Sequence, residues 1–390
     1  MRVVIVGGGF GGVKAALSLA NKKNIDVKLI SDQNYFEYHA ALYRSATGRS
    51  PLEVTIPLKD FFEYAKNIEV IQDLITDIDS SSNSVIGESG SNYKYDKLIM
   101  AIGNVTEYYG IKGLNKFSYG IKTIHEALKL KREIHEQLIN NNIERNYVVV
   151  GAGASGVELS AELASYLKRV RKKHGVNKNF RVDLIEAQSK IMSRMPSKFS
   201  EKITVRLKKL GVKLLTNKSV MSETIDTLEL PNRSISTSTV VWTAGITNNK
   251  LFKKFPKIFK LGRLGRVEVD KYLCTNNNIY VIGDCASTEF SGMAQTAIYD
   301  ASFVCKNLIR LSKHRPQIEY KAKKPIYAIP VGPRWATILW GNTVIDGRAG
   351  WVLRRLADLR LYLTFLPISK ALTVWRYGFV DQEVCEICKK

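Results

Sequence analysis

Residues 2–12 read RVVIVGGGFGG, and this stretch decides the fold. A short β-branched strand runs directly into a glycine-rich turn, and the residues from Val13 to Ala20 that follow have helical character. In a turn of this type Gly7 permits the sharp reversal, Gly9 lets the backbone approach a pyrophosphate, and Gly12 lets the helix pack against the strand. The N-terminus of the helix favours the phosphate charge. The order of strand, glycine turn and helix therefore predicts a dinucleotide-binding domain at the start of the chain.

The next predicted strand, Asp26 to Ile30, should lead to the group that binds the ribose. An acidic residue is expected where this strand ends. Ser31 occupies that position and Asp32 follows it, so the ribose contact is assigned to either side chain. The first dinucleotide site is therefore predicted to contain Gly7, Gly9, Phe10, Gly11, Gly12, Ser31 and Asp32.

The same pattern recurs at residues 147–156, which read YVVVGAGASG, and a helix is predicted from Val157 to Val170. Glu186 ends the following strand, where a carboxylate accepts hydrogen bonds from a ribose 2′-hydroxyl and repels the 2′-phosphate of NADP. Arg194 lies downstream and leaves the choice between NADH and NADPH open. The second site is predicted to contain Gly151, Gly153, Ser155, Gly156, Glu158 and Glu186.

Two such motifs in one chain predict two dinucleotides, and the chemistry that needs both is hydride transfer between a nicotinamide and a flavin. The first site is assigned to permanently bound FAD and the second to exchanging NADH. We expect an α/β fold of two Rossmann-like domains, with the NADH domain inserted in the FAD domain. The predicted divisions are 1–113 and 241–312 for the FAD domain, 114–240 for the NADH domain, and 313–390 for a C-terminal membrane-association region.

Three later segments resemble the characteristic blocks of the two-dinucleotide flavoproteins. They read LIMAIG at 98–103, VWTAG at 241–245 and IYVIGDCA at 279–286. The resemblance implies that the last block closes over the flavin and that the other two are crossovers between the domains, with Ile102 standing where threonine is more usual. The residues so implied are Ala101, Gly103, Gly283 and Asp284 at FAD, and Ala244 and Gly245 at NADH.

Within this superfamily the chain most resembles the type II NADH:quinone oxidoreductases, over nearly its whole length. The segment 34–48, the block GVEL at 156–159 and the element MAQTA at 293–297 carry this narrower resemblance. It implies two-electron reduction of a membrane quinone without proton pumping. The residues implied are Glu158, Gln295 and Tyr299 in catalysis, with Ala294 and Gln295 also at FAD.

Two departures from the family pattern affect the quinone contacts. Tyr299 stands where a second glutamine is usual, and His39-Ala40 stands where glutamine and proline are common. Glu158 has two interpretations: the resemblance implies that it positions the nicotinamide or helps couple the two substrates, whereas an acid near a helix N-terminus can simply complement the helix dipole.

All five cysteines follow residue 273 and show no even spacing, which indicates a reducing compartment rather than a disulfide framework. Because the first flavin helix lacks a cysteine pair, disulfide reductase chemistry is excluded. Cys385 and Cys388 form a C-x-x-C without a second pair, so no metal site is predicted. The first strand begins at once, which argues against a signal peptide and predicts a cytoplasmic N-terminus.

The C-terminal region carries a helix with one apolar stripe, formed by Val352, Leu356, Leu359, Leu363 and Leu366. Three arginines are expected to flank this stripe, Arg354, Arg355 and Arg360, with aromatic residues at the interface. The charge-free part is far shorter than the roughly 20 residues that span a bilayer, so the helix is expected to lie on the membrane. A core helix or a dimer helix is the alternative, and a homodimer is implied by the resemblance alone.

The formal net charge of +23 indicates an anionic partner, for which the cytoplasmic face of the cell membrane is the first choice. Two alternatives remain: a soluble reductase of a ferredoxin-like carrier, and a nucleic-acid-binding or signalling redox flavoprotein. The basic segment 168–174, KRVRKKH, is expected to lengthen a helix-to-strand connection as a solvated helix end. It contains no aromatic residue, so nucleic acid is not expected as a partner.

Overall fold

The computed structural model describes residues 1–139, 145–175, 179–276 and 278–382. The pair Cys385 and Cys388 lies outside the described residues. The N-terminal third contains β1 (Arg2–Val6), α1 (Phe10–Leu19), β2 (Asp26–Ser31), β3 (Tyr35–Glu37), α2 (Leu42–Ala46), β4 (Thr55–Pro57), β5 (Ile68–Gln72), β6 (Ile75–Asp79), β7 (Ser84–Gly87), β8 (Asn92–Lys94), β9 (Lys97–Met100), β10 (Asn104–Thr106) and α3 (Leu114–Phe117).

The middle of the chain forms a second unit. It contains α4 (Ile124–Ile139), β11 (Asn146–Val150), α5 (Ala154–Lys173), β12 (Arg181–Ile185), α6 (Ser197–Leu210), β13 (Val212–Leu215), β14 (Ser222–Glu223), β15 (Thr227–Leu230), β16 (Arg233–Ser236) and β17 (Thr239–Trp242). The remainder contains β18 (Ile246–Asn248), α7 (Lys250–Lys254), β19 (Cys274–Asn276), β20 (Ile279–Val281), α8 (Ala294–Leu311), β21 (Tyr327–Pro330), β22 (Ala336–Trp340), β23 (Thr343–Ile345), α9 (Gly347–Phe365) and α10 (Ile368–Tyr377).

The first sheet has the order β19-β20-β9-β1-β2-β5. All its strands from β20 to β5 run parallel, and only the edge strand β19 is antiparallel. Its central strand β1 is apolar and buried from Val3 onward because both faces of the sheet are covered. The carboxyl ends of β20, β9, β1 and β2 therefore lie side by side at one edge.

The second sheet has the order β13-β12-β11-β17 and is parallel throughout. Its strands lie in the chain between β9 and β20 of the first sheet, so the second unit is inserted in the first, as the sequence predicted. The chain passes from the first unit to the second through β10 and returns through β18, and these two strands pair antiparallel. Strand β17 ends at Trp242, so the predicted division at 240 falls inside a strand of the second sheet.

The C-terminal region is a three-stranded antiparallel sheet, β21-β22-β23, followed by α9 and α10. Helix α9 is amphipathic in the opposite sense to an ordinary surface helix. Its exposed face carries Val352, Leu356 and Leu363, whose exposed fractions are 47%, 52% and 44%. Its inward face carries charged side chains and Tyr362. Among the described residues no helix is long and apolar enough to cross a membrane.

Two sequence-based expectations about basic residues are wrong. Arg354 and Arg355 do not flank the apolar stripe on the surface, because both pair with buried carboxylates and are 9% and 5% exposed. Leu366, assigned to the exposed stripe, is also buried. Residues 168–173 form the end of α5, which confirms the interpretation as a solvated helix end, but they do not lengthen a connection, because the helix continues to Lys173.

Candidate active site

The first glycine turn connects β1 to α1 at the edge where the parallel strands end. Gly7 has φ +113°, and a Cβ there would lie 2.4 Å from the Ala101 carbonyl oxygen. A Cβ on Gly12 would lie 1.8 Å from the Gly7 oxygen, so only glycine allows this packing. A Cβ on Gly9 would meet nothing within 4 Å, and no side chain caps the N-terminus of α1. This open, uncapped cradle fits a pyrophosphate.

The other residues assigned to FAD lie on loops that leave neighbouring strands of the same sheet. Ala101 and Gly103 follow β9, and Gly283 and Asp284 follow β20. The Ala101 amide donates to the Val6 carbonyl at 2.8 Å, and the side chain of Ile282 reaches Gly11. The structure thus brings the loops after β9 and β20 together at the first glycine turn.

A further predicted segment is the start of α8, which packs against α1. A Cβ on Gly283 would lie 3.1 Å from the Cβ of Ala297, so the loop after β20 approaches α8 closely. Ala294 is the first residue of α8 and Gln295 the second.

The end of the second strand separates the two candidates for the ribose contact. Ser31 is buried, and its Oγ would lie 2.6 Å from a Cβ on Gly8, whereas Asp32 is exposed. Ser31 thus lies against the turn itself and Asp32 at its rim.

Three side chains near Asp284 escaped the sequence prediction. Asn104 donates from Nδ2 to the Asp284 carboxylate at 2.9 Å, and Lys122 bonds to Asn104. Burial lowers the pKa of Lys122. Asp300 accepts from the Gly283 amide at 3.1 Å and from the Tyr320 hydroxyl at 2.6 Å, and burial raises the pKa of Asp300 to about 6. These contacts fix the loop that is assigned to the flavin.

The second glycine turn repeats the first in detail. Gly151 has φ +100°, and a Cβ there would lie 2.6 Å from Ala244, while a Cβ on Gly156 would lie 1.8 Å from the Gly151 oxygen. Gly153 and Ser155 are exposed at the start of α5, which has no side-chain cap. This turn also has the open, uncapped form that fits a dinucleotide phosphate.

Glu186 is held at the rim of the second turn by two backbone amides. Its Oε2 accepts from Ala152 at 2.8 Å and its Oε1 from Gln188 at 2.9 Å. Gly245 packs against the backbone of Glu107, where a Cβ would lie 2.0 Å from the Glu107 oxygen. Ala244 and Gly245 therefore connect the second turn to the crossing strands β10 and β18.

Gln295 and Tyr299 both bond to the backbone of the segment 321–326. Gln295 donates from Nε2 to the Ile326 carbonyl at 3.0 Å and accepts from the Ile326 amide at 3.2 Å. The Tyr299 hydroxyl donates to the Lys321 carbonyl at 3.0 Å. The two side chains fasten the chain that leads into β21.

Glu158 faces away from the glycine turn, into the region between α5, α2 and α9. It is 8% exposed, and burial raises the pKa of its carboxyl to about 8, although Arg354 and Arg44 act in the opposite direction. A helix-dipole contact would lower this pKa, so burial outweighs any such contact at the Glu158 carboxyl. Glu158 is a buried acid that keeps its proton at neutral pH.

Beside Glu158 lies a buried ionic network that the sequence did not indicate. Asp358 on α9 accepts from Arg44 of α2 at 2.9 Å and from the Tyr38 hydroxyl at 2.5 Å. It also accepts from Arg354 at 3.0 Å and from Arg355 at 3.1 Å. Glu53 joins the network, pairing with Arg44 at 2.6 Å and Arg355 at 2.8 Å. We call these residues, Tyr38, Arg44, Glu53, Arg354, Arg355 and Asp358, the α9 network.

The described cysteines are unsuited to thiol chemistry. Cys274, Cys285 and Cys305 are all buried, and burial raises the pKa of Cys274 to about 11 and that of Cys285 to about 12. A thiol that stays protonated is a poor nucleophile. Among the described residues no cluster of three or more metal-ligating side chains occurs.

Residues 1–301 match the family model described as pyridine nucleotide-disulphide oxidoreductase. The type II NADH:quinone oxidoreductase Ndh of Mycobacterium tuberculosis is 32% identical over 333 residues, covering 79% of this chain and 72% of that protein. A probable NADH dehydrogenase of Dictyostelium discoideum is 29% identical, over 81% and 75% of the two chains. The structure of NDH2 from Plasmodium falciparum in complex with NADH has the same fold, with a TM-score of 0.87, 19% identity and 97% of each chain covered.

Proposed function

This chain belongs to the type II NADH:quinone oxidoreductases, within the pyridine nucleotide-disulphide oxidoreductase family, and catalyses FAD-dependent oxidation of NADH with reduction of a quinone. From that premise we propose that it works as a peripheral enzyme on the cytoplasmic face of an anionic cell membrane. The single observation that carries the proposal is the reversed amphipathicity of α9. A soluble helix hides its leucines and exposes its arginines, whereas α9 exposes Leu356 and Leu363 and buries Arg354 and Arg355.

We propose the predicted residues as the two cofactor sites, except Glu158, which faces away from the second glycine turn. Bound FAD supplies the chemistry of accepting a hydride from NADH and passing two electrons to the quinone. The glycine turn after β1 and the loops after β9 and β20 hold it, while Asn104 and Asp300 fix the Asp284 loop. The turn after β11 and the carboxylate of Glu186 orient NADH, so positioning accounts for most of the rate of hydride transfer. The domain divisions at 113, 240 and 312 are proposed with these sites.

For the quinone, we assign three residues to two tasks. Gln295 and Tyr299 shape the wall of the site, because they fasten the segment 321–326 beside the start of α8. Glu158 holds a proton at its carboxyl, and reduction of a quinone to a quinol consumes protons. Its surroundings include Arg354 on α9, so the proton donor lies where the membrane-facing helix meets the nucleotide domain.

The apolar face of α9 continues beyond that helix. Leu52, Ile368, Phe379 and Val380 are all more than two-fifths exposed. The Phe379 ring packs against Trp351 with centroids 6.3 Å apart, which joins the end of α10 to the start of α9. Interfacial helices bury such a face in the headgroup and acyl boundary. A second copy of the chain is the alternative occupant, and a soluble ferredoxin reductase has no use for the face.

Anaerobic spectroscopy of the purified flavin-loaded protein tests the catalytic function. We expect NADH to bleach the flavin absorbance rapidly and a short-chain quinone to restore it. We further expect Gln295→Ala to raise the quinone KM while NADH-dependent bleaching is retained. Bleaching without recovery by quinone would point to a protein electron carrier, and equal loss of both half-reactions in the variant would assign Gln295 to the flavin site.

Polar substitution on α9 tests the membrane proposal. Each buried leucine contributes roughly 1.5 kcal/mol, so Leu356→Gln with Leu363→Gln should weaken vesicle binding about a hundredfold. Met221→Gln with Ile225→Gln is the matched control, because these residues are 61% and 72% exposed on the nucleotide domain. Vesicle flotation measures the binding. Unchanged flotation of the α9 variant, with a shift from dimer to monomer in sedimentation, would assign the face to a homodimer.

A further inference from the structure

The membrane proposal leaves the charge of this surface unaccounted for. Amphipathic helices that bind anionic membranes usually carry cations beside their apolar face. In α9 the two central arginines are buried in the α9 network, so they are not available to lipid. Of the three arginines expected beside the stripe, only Arg360 is exposed. Exposed cations of α9 and α10, such as Arg348, Arg360 and Arg376, therefore supply only part of the charge that the two buried arginines were expected to supply, and neighbouring elements can add to it.

The C-terminal end of α5 reaches the apolar face through the end of α10. Arg49 donates to the Phe379 carbonyl at 3.2 Å and pairs with Asp381 at 2.8 Å. Arg169 of α5 lies 3.8 Å from the same Asp381 carboxylate. Phe379 and Val380, which immediately precede Asp381, are 44% and 46% exposed. The basic helix end and the exposed apolar residues are thus adjacent on one surface.

Beyond this contact the helix carries two more cations on the same side. Lys172 and Lys173 follow Arg169 by three and four positions, which places them on its face of the helix one turn further on. Both lysines are exposed. A helix C-terminus favours cations through its dipole alone, but the dipole does not explain why Arg169 on the same face lies against Asp381, next to the exposed Phe379 and Val380.

We propose that Lys172 and Lys173, at the end of α5, form with Arg49 and Arg169 a cationic surface that binds the phosphate groups of anionic lipids beside the apolar face of α9. The inference rests on the proposed membrane association. Lipid is favoured over nucleic acid because the cations border an apolar face, which a membrane buries and a nucleic acid does not. The nucleotide domain thereby contacts the membrane directly.

Vesicle flotation of the full-length, flavin-loaded protein tests the inference. Vesicles of phosphatidylcholine alone are compared with vesicles of phosphatidylcholine and phosphatidylglycerol in equal parts. Each lysine near an anionic surface contributes about a fivefold gain in binding, so K172Q with K173Q should lower binding to the phosphatidylglycerol vesicles roughly 30-fold. Binding to phosphatidylcholine alone and NADH-dependent bleaching should be unchanged.

The control is K253Q with K257Q, which removes the same charge from two exposed lysines. The neighbouring Phe252 and Phe259 pack in the core on the other face of the first sheet from Phe365 of α9. We expect this control to bind like the original protein. An equal loss in both variants, or no loss in either, overturns the inference, as does loss of duplex DNA binding by K172Q/K173Q with vesicle binding intact. If the unsubstituted protein floats with neither vesicle, the membrane proposal itself fails.

Discussion

Asp358→Ala is expected to lower the free energy of unfolding by about 3–5 kcal/mol, the usual cost of removing one partner from a buried ion pair. Asp358 is fully buried and accepts hydrogen bonds from three arginines and from Tyr38. Without it, Glu53 is the one carboxylate left within the α9 network, where it pairs with Arg44 and Arg355. The loss should appear as a lower midpoint in denaturant unfolding of the holoenzyme and as faster hydrogen exchange in α9.

The matched control is Asp346→Ala, one residue before the same helix. Asp346 is partly buried and pairs with Lys202 at 3.3 Å. Its side chain makes no capping hydrogen bond at the start of α9. An ion pair of this kind contributes at most about 1 kcal/mol, so the control should remain close to the original stability. Equal, small losses in both variants would mean that the α9 network relaxes around the missing carboxylate and does not hold the helix.

The dinucleotide motifs could be predicted from the sequence because their constraints are local. Gly12 must approach the carbonyl of Gly7, and Gly156 that of Gly151, and both contacts lie within one turn of chain. The strand and helix bounds followed from the same stretch, with α1 and α5 beginning three residues earlier than predicted. The insertion of one α/β unit in the other also followed, since blocks assigned to the first unit lie on both sides of the second motif, at 98–103 and 279–286.

The orientation of α9 could not be predicted, because periodicity defines two faces but not which one is buried. Apolar residues at 352, 356 and 363 imply charged residues at 354, 355 and 358 on the other side. The ordinary assumption places arginine at the surface. Here Glu53 and Arg44, which lie about three hundred residues earlier in the chain, pair inside the fold with Arg355 and Asp358 respectively. A pairing across that distance leaves no pattern in a single sequence.

The supporting residues of the flavin loop were missed for the same reason. Asn104 contacts Asp284 across 180 positions in the sequence. Asp300 lies on α8 and contacts Gly283 across 17 positions. Polar residues of this kind occur throughout the chain, and only the fold distinguishes those that meet the cofactor loop. Glu158 was found by resemblance, but its burial against Arg354 was not, because that contact joins the nucleotide domain to the C-terminal region.

Glu158→Gln is expected to slow quinone-driven reoxidation of the flavin by roughly a hundredfold or more, the usual contribution of a positioned proton donor. Burial raises the pKa of Glu158 to about 8, so the carboxyl carries a proton at neutral pH. Glutamine has nearly the same shape but no acidic proton. NADH-dependent bleaching should be retained, because hydride transfer to the flavin draws no proton from this residue. Stopped-flow spectroscopy measures the two half-reactions separately.

The pH dependence of the free energy of unfolding provides a second readout, in which Glu158→Gln is expected to gain rather than to lose. A carboxyl whose pKa rises from 4.5 to about 8 on folding contributes stability that is full below pH 4.5 and is lost as pH rises to about 8. Glutamine cannot titrate, so the variant should be more stable than the original protein above pH 8 and approach it toward pH 5. Glu162→Gln, one helical turn along α5, is the control for a buried acid with a raised pKa. It should shift stability in the same direction while leaving reoxidation unchanged. Equal slowing of reoxidation by both variants would make Glu158 a structural residue rather than a proton donor.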